Sequence, residues 1–76
     1  MLPQSLPAQL PLQTERLIDK REVMRRVGLG YTSIWKLMCE DKFPRSRELG
    51  RNKVAWVERE IDEFIRTRPV RRLKGD

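Results

Sequence analysis

The chain has 76 residues, with 17 Lys and Arg against 11 Asp and Glu, a formal net charge of +6 and a pI near 10.3. A chain of this length forms one small domain that buries only about 60% of its unfolded surface, which excludes a deep substrate cavity. The single cysteine, Cys39, and the lack of histidine exclude an internal disulfide and leave no credible set of zinc ligands. We therefore expect no metal and no cofactor, and the basic charge favours a polyanionic partner.

Residues 1–15 hold three of the five prolines and no basic residue, and they are predicted to be a flexible arm outside a domain over residues 16–69. Because Pro3, Pro7 and Pro11 interrupt this stretch, it does not form the continuous apolar helix of a signal peptide or a membrane span. A reducing cytoplasm is the expected location, with no membrane partner.

Two short amphipathic helices are predicted next, over residues 20–27 and from 31 to about 40. Apolar residues recur three and four apart in each segment, which gives each helix one apolar face. The Gly-Leu-Gly joint at residues 28–30 is too short for antiparallel helices lying side by side and suits helices that cross steeply. This arrangement predicts a helix-turn-helix.

The boundaries of these helices carry capping signals. Asp19 is a candidate N-cap for the first helix, and Glu22 three residues later completes a capping box with Asp in place of Ser or Thr. Leu17 and Ile18 are expected to enter the core just before this helix. Gly30 is a permissible N-cap for the second helix.

A basic hairpin is predicted between residues 45 and 56, with its turn at residues 50–52. We expect Val54 and Trp56 on the core face of its second strand, and Leu49 should help to close that face. Trp56 is therefore expected in the core.

The last helix is predicted over residues 58–68, with Ile61, Phe64 and Ile65 on one side. It carries acidic residues early and arginines late, as the helix dipole favours. Residues 70–76 are predicted to be a basic tail.

Side chains at the start of the second helix are the candidate base readers. With Ile34 at the centre of the buried face, a step of about 100° per residue points Thr32 and Lys36 outward. Thr can donate or accept a hydrogen bond or contact a thymine methyl, and Lys can reach guanine acceptors or a phosphate. An ordinary solvated side chain remains the alternative for each. Trp35 is expected to be half-buried against Phe43 or the hairpin rather than to contact a base. The candidates are Tyr31, Thr32, Ser33 and Lys36.

The hairpin is the second candidate surface. Four basic residues lie within nine positions, against the single acid Glu48, and a protruding turn can carry such charges to phosphates or into the minor groove. A solvated charged face is the alternative, and Arg51 at the tip is the best single candidate. The backbone-contact candidates are Arg45, Arg47, Arg51, Asn52, Lys53 and, on the first helix, Arg25.

Catalysis has little support in the sequence. Solvation and the helix dipole explain the acids at the start of the last helix, and no histidine is present to act as a base. Ser33 and Lys36 stand at the spacing of a Ser/Lys nucleophile, but an outward-facing pair in a domain without a pocket favours an ordinary surface. We expect no enzymatic activity.

Five stretches together carry a family resemblance: EVMRRVGLGYTSIWKLMCEDKFP over residues 22–44, Leu49-Gly50, Val54-Ala55-Trp56, Glu60-Ile61-Asp62, and Phe64-Ile65. In order and spacing they resemble the AlpA-type prophage regulators, within the MerR-like and excisionase-like winged helix-turn-helix domains. The chain departs from the family at Gly30, where Ser is common, at Arg47, where the residue is often apolar, and at Arg59, where a small polar residue is frequent. The resemblance implies sequence-specific DNA binding that controls phage or prophage genes, or assists excision by shaping DNA at attachment sites.

The sequence thus predicts a mainly α fold with three helices and a small two-stranded β wing. The second helix should lie in the major groove of double-stranded DNA, and the wing, about 45–55, should lie on the backbone or in the minor groove. Such a transcriptional regulator would be cytoplasmic and associated with the nucleoid.

The alternative is an excisionase, or recombination directionality factor, that bends DNA at attachment sites. It would contact an integrase and bind tandem sites with further copies of itself, as a dimer or a cooperative array. An RNA-binding or adaptor role comes third, because RNA recognition uses exposed aromatic residues and only Tyr31 and Trp35 are available.

Overall fold

A computed structural model describes residues 15–75 of the chain, so nearly all of the predicted N-terminal arm lies outside the described residues. Within this range, three helices surround a three-stranded antiparallel sheet whose strand order is β1-β3-β2. The elements in chain order are β1 (Leu17–Asp19), α1 (Lys20–Val27), α2 (Tyr31–Cys39), β2 (Arg47–Gly50), β3 (Lys53–Val57) and α3 (Glu58–Arg66).

Helix α1 begins and ends as the sequence predicts. The Glu22 amide donates a hydrogen bond of 2.9 Å to the Asp19 carboxylate, which confirms Asp19 as the N-cap. The Glu22 carboxylate accepts hydrogen bonds from Arg25 and Arg26, where a capping box would turn it back to the Asp19 amide. Gly28 closes the helix with a left-handed φ of 73°, a conformation that costs glycine little.

Helices α2 and α3 also form where predicted, and each ends slightly earlier. Helix α2 starts directly after Gly30, which supplies no side-chain cap, and buries Ile34 and Met38. Helix α3 ends at Arg66, and Thr67 follows as its C-cap. The Thr67 hydroxyl donates a hydrogen bond of 2.9 Å to the Glu63 carbonyl.

The predicted two-stranded sheet is wrong by one strand, because Leu17–Asp19 pairs antiparallel with β3. A run of three residues carries almost no strand signal of its own, and it is extended here because β3 offers a free backbone edge. Ile18, opposite Trp56, is buried as predicted, but Leu17 is 46% exposed. Successive strand residues point to opposite faces, so only one of this pair can enter the core.

The hairpin forms around a turn at Arg51-Asn52, with Asn52 in the left-handed region at a φ of 56°. Its register shifts between Glu48 and Gly50, which leaves Leu49 without a partner on β3. Leu49 is therefore bulged outward and 48% exposed, so the prediction that it closes the core face is wrong.

Three successive residues of β3 are buried, Ala55, Trp56 and Val57, and of these Trp56 belongs to the core cluster. Trp56 is fully buried, as predicted, and its indole N–H donates a 3.0 Å hydrogen bond to the Pro44 carbonyl. The core cluster consists of Ile18, Val23, Ile34, Met38, Phe43, Trp56 and Ile61. Of the apolar residues predicted for α3, Ile61 is buried and Phe64 packs against this cluster, whereas Ile65 is 41% exposed at its edge.

One arginine fastens α1 to α3. The Arg26 guanidinium contacts carboxylates of Glu22 at 2.9 Å, Glu58 at 2.7 Å and Asp62 at 3.3 Å. Hydrogen bonds from Arg26, and then from Arg25, lower the pKa of Glu22, while hydrogen bonds to Glu22 and Glu58 raise the pKa of Arg26. The Glu22 carboxylate is therefore held in its charged form.

Replacing Trp56 with Phe should lower the free energy of unfolding by about 2 kcal/mol, because the substitution leaves a small cavity and an unbonded Pro44 carbonyl. Urea denaturation followed by circular dichroism measures this loss. The matched control is Trp35→Phe, which lies on the surface and should change stability by less than about 0.5 kcal/mol. Equal losses in the two variants would contradict this role of Trp56.

Replacing Arg26 with Met should lower the stability of the fold at neutral pH and should matter little in acid. The folded-state pKa of Glu22 lies below its ordinary value of 4.5, so the contribution of this carboxylate is fully present above that value and is lost as pH falls through the folded pKa. Urea midpoints measured from pH 7 down to about pH 3 should therefore converge for the variant and the parent. A constant difference across that range would show that the Arg26 network does not act through these charges.

Candidate nucleic-acid interface

The outer face of α2 is free of packing against the rest of the described chain. Thr32, Ser33, Trp35 and Lys36 are exposed, on the side opposite the buried Ile34. Lys36 makes no ion pair with any carboxylate in residues 15–75. Three of the four predicted base readers therefore lie together on one open helical surface.

Tyr31, the fourth predicted base reader, is placed differently. Its ring is half-buried and packs against the core cluster, and the Lys20 ammonium lies 4.3 Å from the ring centroid. This contact holds a cation beside the start of α2. Because Gly30 supplies no side-chain acceptor, the first-turn amides of α2 have no cap there, and such amides can bind an anion.

The predicted backbone contacts divide into two groups. Arg51, Asn52 and Lys53 are exposed at the hairpin turn, where neither cation is paired with a carboxylate of the described chain. The other three are already held by carboxylates: Arg25 by Glu22, Arg45 by Asp41 at 2.9 Å, and Arg47 by Glu60 at 2.7 Å.

A groove separates α2 from the hairpin. Trp35 is 55% exposed at its edge, which is more exposed than the sequence predicts for a residue packed on the hairpin. Glu48 lies in the same groove, and neither residue is among the predicted contact residues. Glu48 is the only acid between residues 45 and 53, and this was the one signal that could have singled it out. The groove is lined by Trp35, Met38, Cys39, Arg45, Ser46, Glu48 and Val54.

The charges of the described chain are segregated. Acids of α3 pair with arginines from other elements, as in Glu60 with Arg47 and Glu58 with Arg26, and Glu15 pairs with Arg59 at 2.8 Å. The hydrogen bond to Glu15 raises the pKa of Arg59. Nine cations have no carboxylate partner in the described chain: Lys20 and Arg21 on α1, Lys36 on α2, Arg51 and Lys53 at the hairpin turn, and Arg68, Arg71, Arg72 and Lys74 after α3.

A second cavity, of about 610 Å³, lies between the loop after α2 and helix α3. Phe43 and Phe64 line it, with their ring centroids 4.6 Å apart, and charged residues of both signs form its rim. The lining has five cations and three anions, and four of the cations already bind a carboxylate, as Arg47 binds Glu60. Within residues 15–75, no three metal-ligating side chains come together. No helix in that range is long and apolar enough to cross a membrane.

Comparison with known proteins confirms the family resemblance seen in the sequence. The family described as "Prophage CP4-57 regulatory protein (AlpA)" matches residues 16–69. A protein of Enterobacteria phage P4, named "Uncharacterized protein ORF88", is 33% identical over 61 residues, which cover 80% of this chain and 69% of the relative. No solved structure matches the chain. With most of its length matched, the chain belongs to the AlpA family of prophage regulatory proteins.

Proposed function

We propose that the protein is a sequence-specific regulator of phage or prophage genes that binds double-stranded DNA as a winged helix-turn-helix. Helix α2 enters the major groove, and the hairpin is the wing on the neighbouring backbone or minor groove. The observation that carries this proposal is the charge distribution. Lys36 on α2 and Arg51 and Lys53 at the hairpin turn have no carboxylate partner among residues 15–75, whereas carboxylates bind Arg26, Arg47 and Arg59 beside or on α3.

The dimensions and the chemistry of α2 suit this position. Its nine residues form a helix about 13 Å long, and the major groove is about 12 Å wide and accepts a single helix. Thr32 and Lys36 extend from the open face toward base edges. Lys20 and the uncapped first-turn amides of α2 lie where a phosphate would approach the helix start.

The turn of the wing is better suited to binding phosphates than the start of the wing, where Arg45 and Arg47 lie. Arg51 and Lys53 can bind a phosphate without giving up an ion pair. Arg45 and Arg47 would first have to leave Asp41 and Glu60, which reduces the net gain from any phosphate contact. We therefore rank Arg51 and Lys53 above the other predicted backbone contacts.

The second candidate is an excision factor that bends DNA at attachment sites, and the basic tail is the observation that favours it. Arg71, Arg72 and Lys74 follow α3 and are exposed, so they add a third basic element beyond the helix and the wing. A protein that wraps DNA uses such extra phosphate contacts to offset the cost of bending. Gel mobility of duplexes carrying the site at different positions would reveal a bend, and its absence would remove this candidate.

The test of DNA binding begins with selection of bound duplexes from a random pool. On the selected duplex, Lys36→Ala should cost about 1–3 kcal/mol if Lys36 reads a base, and much less on an unrelated duplex. Arg51→Ala should weaken binding to both duplexes and reduce the slope of log affinity against log salt by about one. Fluorescence anisotropy at several salt concentrations measures both effects.

The control is Arg66→Ala, which removes the same charge from α3, where Arg66 pairs with Glu63. It should leave affinity and salt slope nearly unchanged. If all three variants bind duplex DNA as the parent does, α2 and the wing are not the binding surface.

A further inference from the structure

Glu48 is unusual among the acids of the described chain. Every other carboxylate in residues 15–75 accepts a hydrogen bond or forms an ion pair. Glu48 on strand β2 has no hydrogen-bond donor or cation as a partner within these residues. It is also exposed, and it precedes Arg51 and Lys53 of the hairpin turn by three and five residues. A carboxylate near phosphates weakens DNA binding unless it accepts a hydrogen bond from the DNA itself.

The surroundings of Glu48 leave its acceptor capacity free. It shares the groove between α2 and the hairpin with Trp35 and Val54, which form an apolar wall. Arg45 also lines this groove, but its guanidinium binds Asp41 at 2.9 Å. The groove therefore presents the Glu48 carboxylate, its one anion, together with an exposed indole, on the side of the molecule that carries the open face of α2.

The chemistry of the DNA major groove limits which base Glu48 can contact. An ionised carboxylate only accepts hydrogen bonds, and the donors there are the N4 amino group of cytosine and the N6 amino group of adenine. The adenine amino group lies between two acceptors, its own N7 and O4 of the paired thymine, which repel a carboxylate. The cytosine amino group has the apolar C5–H edge on one side, which suits a neighbouring indole.

We propose that Glu48 and Trp35 form a specificity site that selects a cytosine at one position of the DNA sequence. Glu48 accepts a hydrogen bond from the cytosine N4 amino group, and Trp35 packs against the C5 edge. This inference rests on the proposed function, because it requires the groove to face DNA. Glu48 should therefore lower the affinity for DNA in general, because it repels phosphates. The hydrogen bond from cytosine should offset this repulsion only on duplexes that carry the cytosine.

The test compares the full chain with its Glu48→Ala and Trp35→Ala variants in selections from a random duplex pool. The parent should require cytosine at one position, and replacement by thymine, which puts the O4 acceptor where the N4 donor lay, should weaken binding about tenfold or more. Glu48→Ala should abolish this preference and bind unrelated duplexes several-fold more tightly than the parent. Trp35→Ala should weaken the preference at the same position.

The matched control is Glu63→Ala, which removes a negative charge from α3 and should leave every base preference unchanged. If Glu48→Ala raises the affinity for all sequences equally and keeps the cytosine preference, the proposal is wrong while the DNA-binding function stands. If the parent selects no duplex at all, both are wrong. Glu48 and Trp35 are both exposed, so neither substitution removes a core contact.

Discussion

Burial of Trp56 is the interaction on which the position of the wing depends. Trp56 lies in the central strand of the sheet. The hydrogen bond from its indole N–H to the Pro44 carbonyl connects that strand to the segment that follows α2. Phe43, the neighbour of Pro44, packs on Phe64 of α3. The core therefore fixes the end of α2, the hairpin and α3 relative to one another. A recognition surface made of a helix and a separate hairpin needs this rigidity, because a small displacement of either element would remove a contact with DNA.

The same fold also separates the charges. Helix α3 carries four acids, more than any other helix or strand, and arginines from α1 and β2 reach across to three of them, so the ion pairs that hold α3 in place also neutralise much of its charge. What remains without an ion-pair partner in the described chain is positive, apart from Glu48, and it includes Lys36 on α2, Arg51 and Lys53 at the hairpin turn, and the basic tail. The surplus of six positive charges is thus directed to part of the surface. This distribution explains why some arginines of the hairpin are poor phosphate ligands although sequence clustering groups them with Arg51.

Much of the fold could be predicted from local signals. The Asp19 cap, the glycine joint before α2 and the buried positions of Ile34 and Trp56 follow from rules that act within a few residues. Strand β1 could not be predicted because it forms only by pairing with β3, which is distant in sequence. The outward position of Leu49 could not be predicted because it results from a shift in the register between β2 and β3. The predicted site residues could be placed on surfaces, but their ion pairs could not. Arg47 pairs with Glu60 and Arg26 with Glu58 only because the fold brings separate elements together.

The central claim is that α2 and the hairpin turn, rather than α3, contact DNA. An NMR titration of the labelled chain with a selected duplex tests this most directly, because every backbone amide reports on its own surroundings. The largest shifts should fall on residues 31–36 and 50–54, with residues 60–66 nearly unchanged. Shifts concentrated on α3, or equal small shifts throughout the chain, would contradict the claim.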